Sequence, residues 1–184
     1  MSEFRLETER LILRSWEDRD IVPFAEICGN PRVMATLGPV MTLSETAVLV
    51  ARCQAEQTAR GHCFWALDRR SDARLIGWCG VIRGTAGPVA GKAELGWRLA
   101  ADCWGRGYAS EAAQATVAWA FANFDDEALW AITTVANTGS RGVMERLGMR
   151  YHPQLDFDHP GVPADSPLLR HVAYELTRKD WLGR

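Results

Sequence analysis

The stretch "KAELGWRLAADCWGRGYASEAAQATVAWAF" constrains this chain more than any other. It reads as a strand, then a glycine turn, then a long helix. Ala109, Ala112, Ala113, Thr116, Val117, Ala120, Phe121 and Phe124 keep three-and-four spacing through several helical turns. Gly105 and Gly107 stand directly before that helix. Inside a helix, glycine costs about 1 kcal/mol relative to alanine, so the two residues serve something other than helix formation. A helix start has unpaired N–H groups and the positive end of the macrodipole. A bare backbone there lets an anion approach, and Arg106 adds a charge. The turn therefore reads either as a phosphate cradle or as a plain glycine loop. It is not a P-loop, because GxxxxGK[ST] is missing. It is not a dinucleotide fingerprint, because the third glycine is absent.

The rest of the chain must supply a sheet for this unit to pack on. "RLILR" (Arg10 to Arg14) alternates like a strand. A helix follows with Ile21, Phe24, Ala25 and Cys28 on one face, stopped by Gly29-Asn30-Pro31. A second helix runs from an expected N-cap at Ser44 to Gly61. "HCFWALD", "RLIGWCGVI" and "KAELGWRLA" are strands. After the long helix, "ALWAITTVA" reads as a buried strand. "NTGSRGVMERLG" is a short helix, with Asn137 as a candidate cap and Val143, Met144 and Leu147 as its apolar side. "MRYHPQL" and "LLRHVAYELT" are late strands, and "RKDWLGR" a last helical turn. The expected order is β-α-α-β-β-β-α-β-α-β-β, one mixed α/β (α+β type) domain over residues 1–184.

Charge and cysteines narrow the function classes. A net charge of −2 provides no general field for nucleic acid. Five scattered cysteines (Cys28, Cys53, Cys63, Cys79, Cys103) without CxxC spacing point to reduced thiols in the cytoplasm and to no metal site. "MSEFRLETER" is too charged for a signal peptide, and no apolar run is long enough to span a bilayer.

"CWGRGYASEA" after "AELGWRL" resembles the acyl-CoA pyrophosphate motif of the GNAT superfamily of N-acetyltransferases, Q/R-x-x-G-x-G/A. Trp104 fills the Q/R slot, Gly107 the first glycine slot and Ala109 the last. The tryptophan departs from the superfamily but resembles its RimJ/RimL-like branch. So do "RLILR" with "NPRVM", and "NTGSRGVMERLGM" with its N-x-x-S start and L-G-M end. The resemblance covers nearly the whole chain. It implies a GNAT-like fold with an acyl-CoA cleft between the splayed fourth and fifth strands, here "KAELGWRLA" and "ALWAITTVA".

The resemblance also implies roles. Backbone groups near Leu99 and Ala101 would pair with the pantetheine arm as an added strand. Trp104, Gly105, Arg106, Gly107, Tyr108, Ala109 and Ser110 would surround the pyrophosphate. Asn137 would reach the pantetheine, cap its helix, or do both. A backbone N–H beside Leu99 would stabilise the oxyanion. Many family members place an acidic tyrosine where this chain has Met144, which carries no proton to give. Ser140 is the substitute donor, or else a first-turn serine bonded to backbone. Candidate bases are Glu94 on the cleft strand and His159. Asp156 and Asp158 with His159 would hold a cationic amine, unless "LDFDHP" is an ordinary Asx-Pro turn. Glu111 reads as structural, orienting the turn.

The implied activity is transfer of an acetyl group from acetyl-CoA to a primary amine, a protein N-terminus or a small molecule, in a ternary complex. A non-catalytic acyl-CoA sensor is the alternative, and a nucleotide-phosphate binder is a weaker one. The expected partner is the amine acceptor, with a homodimer left open and neither nucleic acid nor membrane involved.

Overall fold

The computed structural model describes residues 4–183. Met1 to Glu3 of the charged opening and Arg184 of the tail lie outside the described residues, so the 1–184 domain extent is described only between those limits. The strands are β1 (Arg5–Glu7), β2 (Leu11–Arg14), β3 (Phe64–Arg69), β4 (Arg74–Arg83), β5 (Ala93–Leu99), β6 (Ala128–Thr134), β7 (Arg150–Tyr151), β8 (Phe157–Asp158) and β9 (Arg170–Thr177). The helices are α1 (Ile21–Cys28), α2 (Pro31–Met34), α3 (Leu43–Arg60), α4 (Tyr108–Asn123), α5 (Thr138–Arg146) and α6 (Arg178–Leu182). One sheet runs β1-β2-β3-β4-β5-β6-β9-β7, and β8 also pairs with β9.

Every neighbouring pair is antiparallel except β5–β6, which is parallel because α4 carries the chain across between them. That parallel pair is joined at one register position, Glu94 opposite Trp130. Beyond it the strands part. β4 and β5 pair without a register shift, so β5 alternates regularly and carries no bulge against β4. Its two faces can then be told apart. Cys79, opposite Trp97, has its Sγ 3.5 Å from Thr116 Oγ1 on α4. Leu95, Trp97 and Leu99 share that face. Glu94, Gly96 and Arg98 lie on the other face, where Arg98 reaches Cys28 on α1.

α4 approaches the sheet closely because its buried face is mostly small: Ala112, Ala113, Thr116, Val117, Ala120 and Phe121. Its last carbonyls are held by Arg178, which donates to Phe121 O at 2.6 Å and to Phe124 O at 2.5 Å. α5 lies on the same side of the sheet. Asn137 Nδ2 donates to Thr133 Oγ1 on β6 at 2.9 Å, and Arg141 Nε to Tyr174 OH on β9 at 3.1 Å.

Four local expectations change. The cap of α3 is Thr42, not Ser44: Thr42 Oγ1 accepts from Glu45 N–H, and the Glu45 side chain accepts the Thr42 N–H at 2.7 Å. Thr-Leu-Ser-Glu is a capping box, which satisfies two donors where Ser44 would satisfy one. Asn30 does not only stop α1; its Oδ1 accepts from Arg32 N–H and starts α2. Two strands were not expected, β1 and β8. The "LDFDHP" segment is therefore no free Asx-Pro turn, since Phe157 and Asp158 pair with His171 and Arg170.

Candidate active site

The site begins where β5 ends. A single 3-10 turn (Ala101–Cys103) carries the chain out of the sheet, and the Gly105-Arg106-Gly107 turn swings it into α4. Gly105 has φ 72° and Gly107 φ 81°, left-handed values that cost an L side chain roughly 1–2 kcal/mol. Gly107 is the N-cap, and no side chain caps the helix. Among the described residues, the N–H groups from Gly105 to Ser110 have no protein acceptor. That row of unsatisfied donors lies at the positive end of a 16-residue helix.

The turn is held from behind. Glu111 accepts from Thr8 Oγ1 at 2.6 Å, from the Arg10 N–H at 2.9 Å and from Arg10 Nε at 2.6 Å. Arg10 also donates to Arg106 O at 3.0 Å and lies over the Tyr108 ring. Burial alone would push the Glu111 carboxyl up, but the hydrogen bonds from Thr8 and Arg10 bring it below the ordinary range. Glu111 is structural, as its position at the helix start suggested. Thr8 and Arg10, its partners from the turn between β1 and β2, could not be paired with it from the sequence, because about a hundred residues separate them.

The parted strands open a cavity of about 680 Å³ between β5, α2, the start of α4 and α5. Of the residues singled out in the sequence, Leu99, Trp104, Gly105, Gly107, Tyr108, Ala109, Ser110, Asn137 and Ser140 line it. Ala101 and Arg106 stand at its margin and do not. Ala100 N–H donates to Ile76 O on β4, so the backbone groups of Leu99 and Trp97 face the gap instead. The Leu99 carbonyl is already taken by the Trp104 indole N–H at 2.9 Å. The Leu99 N–H and the Trp97 peptide groups remain turned toward β6.

At the start of α5, both ends of the Asn137 amide are engaged. Its Oδ1 accepts from Ser140 N–H at 3.2 Å while its Nδ2 holds Thr133. The Ser140 hydroxyl has no protein partner among the described residues, although the side chain lines the cavity. Met144, one turn further on, is 2% exposed and packs in the core. Arg146 closes the groove from α5 by donating to Ser110 Oγ at 3.1 Å.

Glu94 lies outside the cavity lining, partly buried on the opposite face of the sheet. Burial beneath the β4–β5 loop pushes its carboxyl up to about 7. The three candidates of "LDFDHP" do not line the cavity either. Asp156 accepts from Tyr151 OH at 2.7 Å, with its other oxygen buried and unpartnered. Asp158 is exposed and paired with Arg170. His159 Nδ1 accepts the Gly161 N–H at 3.1 Å, and its ring centroid is 4.8 Å from that of His171.

His171 escaped the sequence reading. Trp130 pairs with both Glu94 and Glu175, and His171 precedes Glu175 by four residues, so Glu94 and His171 share a face. The His171 Nδ1–H donates to Leu169 O at 3.1 Å, leaving Nε2 with its lone pair. Burial lowers its pKa. Three cavity arginines, Arg32, Arg98 and Arg146, also went unremarked. They are the charged residues of the lining, which contains no carboxylate among the described residues. The cavity thus combines cationic side chains, free backbone N–H groups and an unpaired strand edge, a set suited to a long anionic ligand with amide groups. No three His, Cys, Asp or Glu among the described residues are grouped to hold a metal. No helix among them is long and apolar enough to cross a membrane.

Proteins similar to this chain include acetyltransferases. The chain is similar to the uncharacterized N-acetyltransferase YoaA of Bacillus subtilis, 28% identical over 148 residues, covering 79% of this chain and 82% of that one. It superposes on the crystal structure of an acetyltransferase from Agrobacterium tumefaciens with a TM-score of 0.77 at 29% identity, covering 97% of this chain and 96% of that one. A ribosomal-protein-S5-alanine acetyltransferase of Vibrio fischeri shares the fold with a TM-score of 0.75 at 17% identity, covering 97% of this chain and 98% of that one. The model of the acetyltransferase (GNAT) domain matches residues 10–150. With most of its length under that match, the chain belongs to the GNAT acetyltransferase family.

Proposed function

We propose that this protein is an acetyl-CoA-dependent N-acetyltransferase of the RimJ/RimL-like branch, acting in the cytoplasm on a primary amine. The observation that carries the reading is the gap in the sheet, which opens beside a helix start with unpaired N–H groups. The N–H groups from Gly105 to Ser110 would hold the pyrophosphate, with Trp104 and Arg106 at the rim. The peptide groups of Trp97 would pair with the pantetheine amides, and Ala101 lies just beyond. Asn137 fixes the start of α5 against β6 and so sets the width of the slot. Acetyl-CoA, when bound there, supplies an activated acyl group on a thiol leaving group.

The chain's own groups then have separate tasks. The Leu99 N–H not used in pairing faces the place where negative charge develops on the acyl oxygen. As the amine nitrogen bonds to the acetyl carbon, Glu94 takes through water the proton that the amine sheds. Ser140 Oγ–H donates a proton to the sulfur as the C–S bond breaks, and is reprotonated from solvent. His159 and His171 stand on the Glu94 face and can extend that proton path. Asp156 and Asp158, held by Tyr151 and Arg170, contribute little to gripping a cation. The five free cysteines are all buried, which suits a reducing compartment.

Release of CoA from acetyl-CoA, followed over a panel of amines, tests the reading. Amine-dependent release supports it, and tight CoA binding without release under any amine would instead make the protein a sensor. Displacement of CoA by ATP at comparable concentration would point to a nucleotide-phosphate site.

A further inference from the structure

Arg98 is the unexplained charge in this molecule. It lines the cavity from the α1 side of the sheet. Its Nη1 reaches the sulfur of Cys28 at 3.1 Å and that of Met41 at 3.7 Å, and its guanidinium lies over the Trp78 ring at 4.9 Å. Its Nε is buried and has no hydrogen-bond partner. No carboxylate touches it among the described residues. Sulfur is a weak acceptor and a ring face replaces only part of a hydration shell. The same protein treats its buried arginine differently, since Arg14 is matched by Asp20 at 2.6 Å and Asp68 at 2.7 Å. A partly buried guanidinium left without an anion is unfavourable unless something else supplies one.

The position of Arg98 says what that something is. The next residue, Leu99, faces the gap from the opposite side of the strand. Arg98 therefore opens on the side from which an acceptor, rather than the CoA phosphates, would enter. The phosphates have Arg146 and the helix start on the other side. We infer that the amine acceptor carries a carboxylate and that Arg98 binds it, which makes the acceptor a small amino acid by class rather than a polyamine. The inference rests on the acetyltransferase reading above. Planar guanidinium and carboxylate match in a bidentate pair, and the acceptor's anion would complete the hydrogen bonding that the chain leaves open. A polyamine would instead bring its positive charges against Arg32 and Arg98 with no carboxylate in the lining to meet them.

The test compares free amino acids with their carboxamides as acceptors, reading CoA release. The wild-type protein is expected to prefer the acids by about tenfold or more in kcat/KM. This would run against intrinsic reactivity, because the amide's amine is the less basic and more of it is neutral near pH 7. Arg98→Met keeps an unbranched apolar stem among Cys28, Met41 and Trp78. It should lower kcat/KM for the acid about a hundredfold, abolish the preference and leave the acetyl-CoA KM alone. Arg98→Lys should recover part of the preference. Carboxamides used as well as acids by the wild type would overturn the inference and leave the acetyltransferase reading intact. A raised acetyl-CoA KM in Arg98→Met with the preference unchanged would move Arg98 to the donor side and overturn it too. Failure of every amine would remove the reading beneath it and this inference with it. Should Arg98→Met fail to fold, calorimetry on the wild type with CoA present decides. N-acetyl amino acids should bind and their amides should not, and equal binding would sink the idea.

Discussion

Ser140 and Met144 stand one helical turn apart on α5, and of the two only Ser140 reaches the cavity. A proton for the departing sulfur therefore has a hydroxyl to come from, even though the usual tyrosine position is occupied by a core methionine. Ser140→Ala should reduce turnover by about a hundredfold, toward the low end for a positioned acid, because a thiol with pKa about 8.5 leaves readily. CoA affinity and melting temperature should hold, since Asn137 rather than Ser140 supplies the cap. Normal turnover with a lowered melting temperature would make Ser140 structural. Glu94 makes a pH statement. As a base with its pKa at about 7, it gives a rate that rises through neutrality. Glu94→Gln should flatten that limb, by about a hundredfold above pH 8. Stability carries the same signature with its own sign. The folded protein holds this proton more tightly than the unfolded chain, whose glutamate titrates near 4.3. The stability from Glu94 is thus complete below about pH 4 and is lost as pH rises through about 7. Glu94→Gln should therefore melt higher than wild type at pH 8, with the gap closing at pH 4. A persistent rate limb in Glu94→Gln would shift the base to His171 or water.

The unit of β5, glycine turn and α4 was legible because everything that specifies it is local. The helix spacing, the left-handed glycines and the missing side-chain cap all lie in one run of chain. The capping box at Thr42 was equally local but was passed over for Ser44 two residues later. β1 and β8 are three and two residues long and exist only through their partners, so no short window of sequence announces them. The same limit hid the site's wider setting. That Glu111 would meet Arg10, that Glu94 would share a face with His171, and that Arg98 would lack a carboxylate are facts of packing. The glycine turn also makes a sharp prediction. Gly107→Glu places a side chain at φ 81° and a negative charge against the row of free N–H groups. Titration calorimetry should find CoA binding abolished while circular dichroism reports an intact fold. Unchanged affinity in a folded variant would refute the pyrophosphate role.

The sheet is assembled from two halves, β1 to β5 and β6 to β9, and the first half holds a buried ion triad beside its apolar core. Arg14 on β2 joins Asp20 before α1 and Asp68 on β3, with all three buried. Burial pushes Asp68 up and Arg14 pulls it back, with a net rise remaining. Arg14→Ala leaves two carboxylates buried together without a cation, and should cost about 3–5 kcal/mol in urea unfolding. A loss below about 1 kcal/mol would place the triad in water, where such pairs contribute little. The seam between the halves has a further consequence. Wherever β5 and β6 part, the protein has strand edges in its interior, with peptide groups as unprotected as those at an outer border. Edges of that kind invite another chain to add to them, but this one lies in a slot between helices, too narrow for a second folded sheet. The amide hydrogens of Trp97 and Leu99 should therefore exchange with heavy water as quickly as those of the outermost strand β1, despite sitting mid-sheet, and should slow sharply once acetyl-CoA is added.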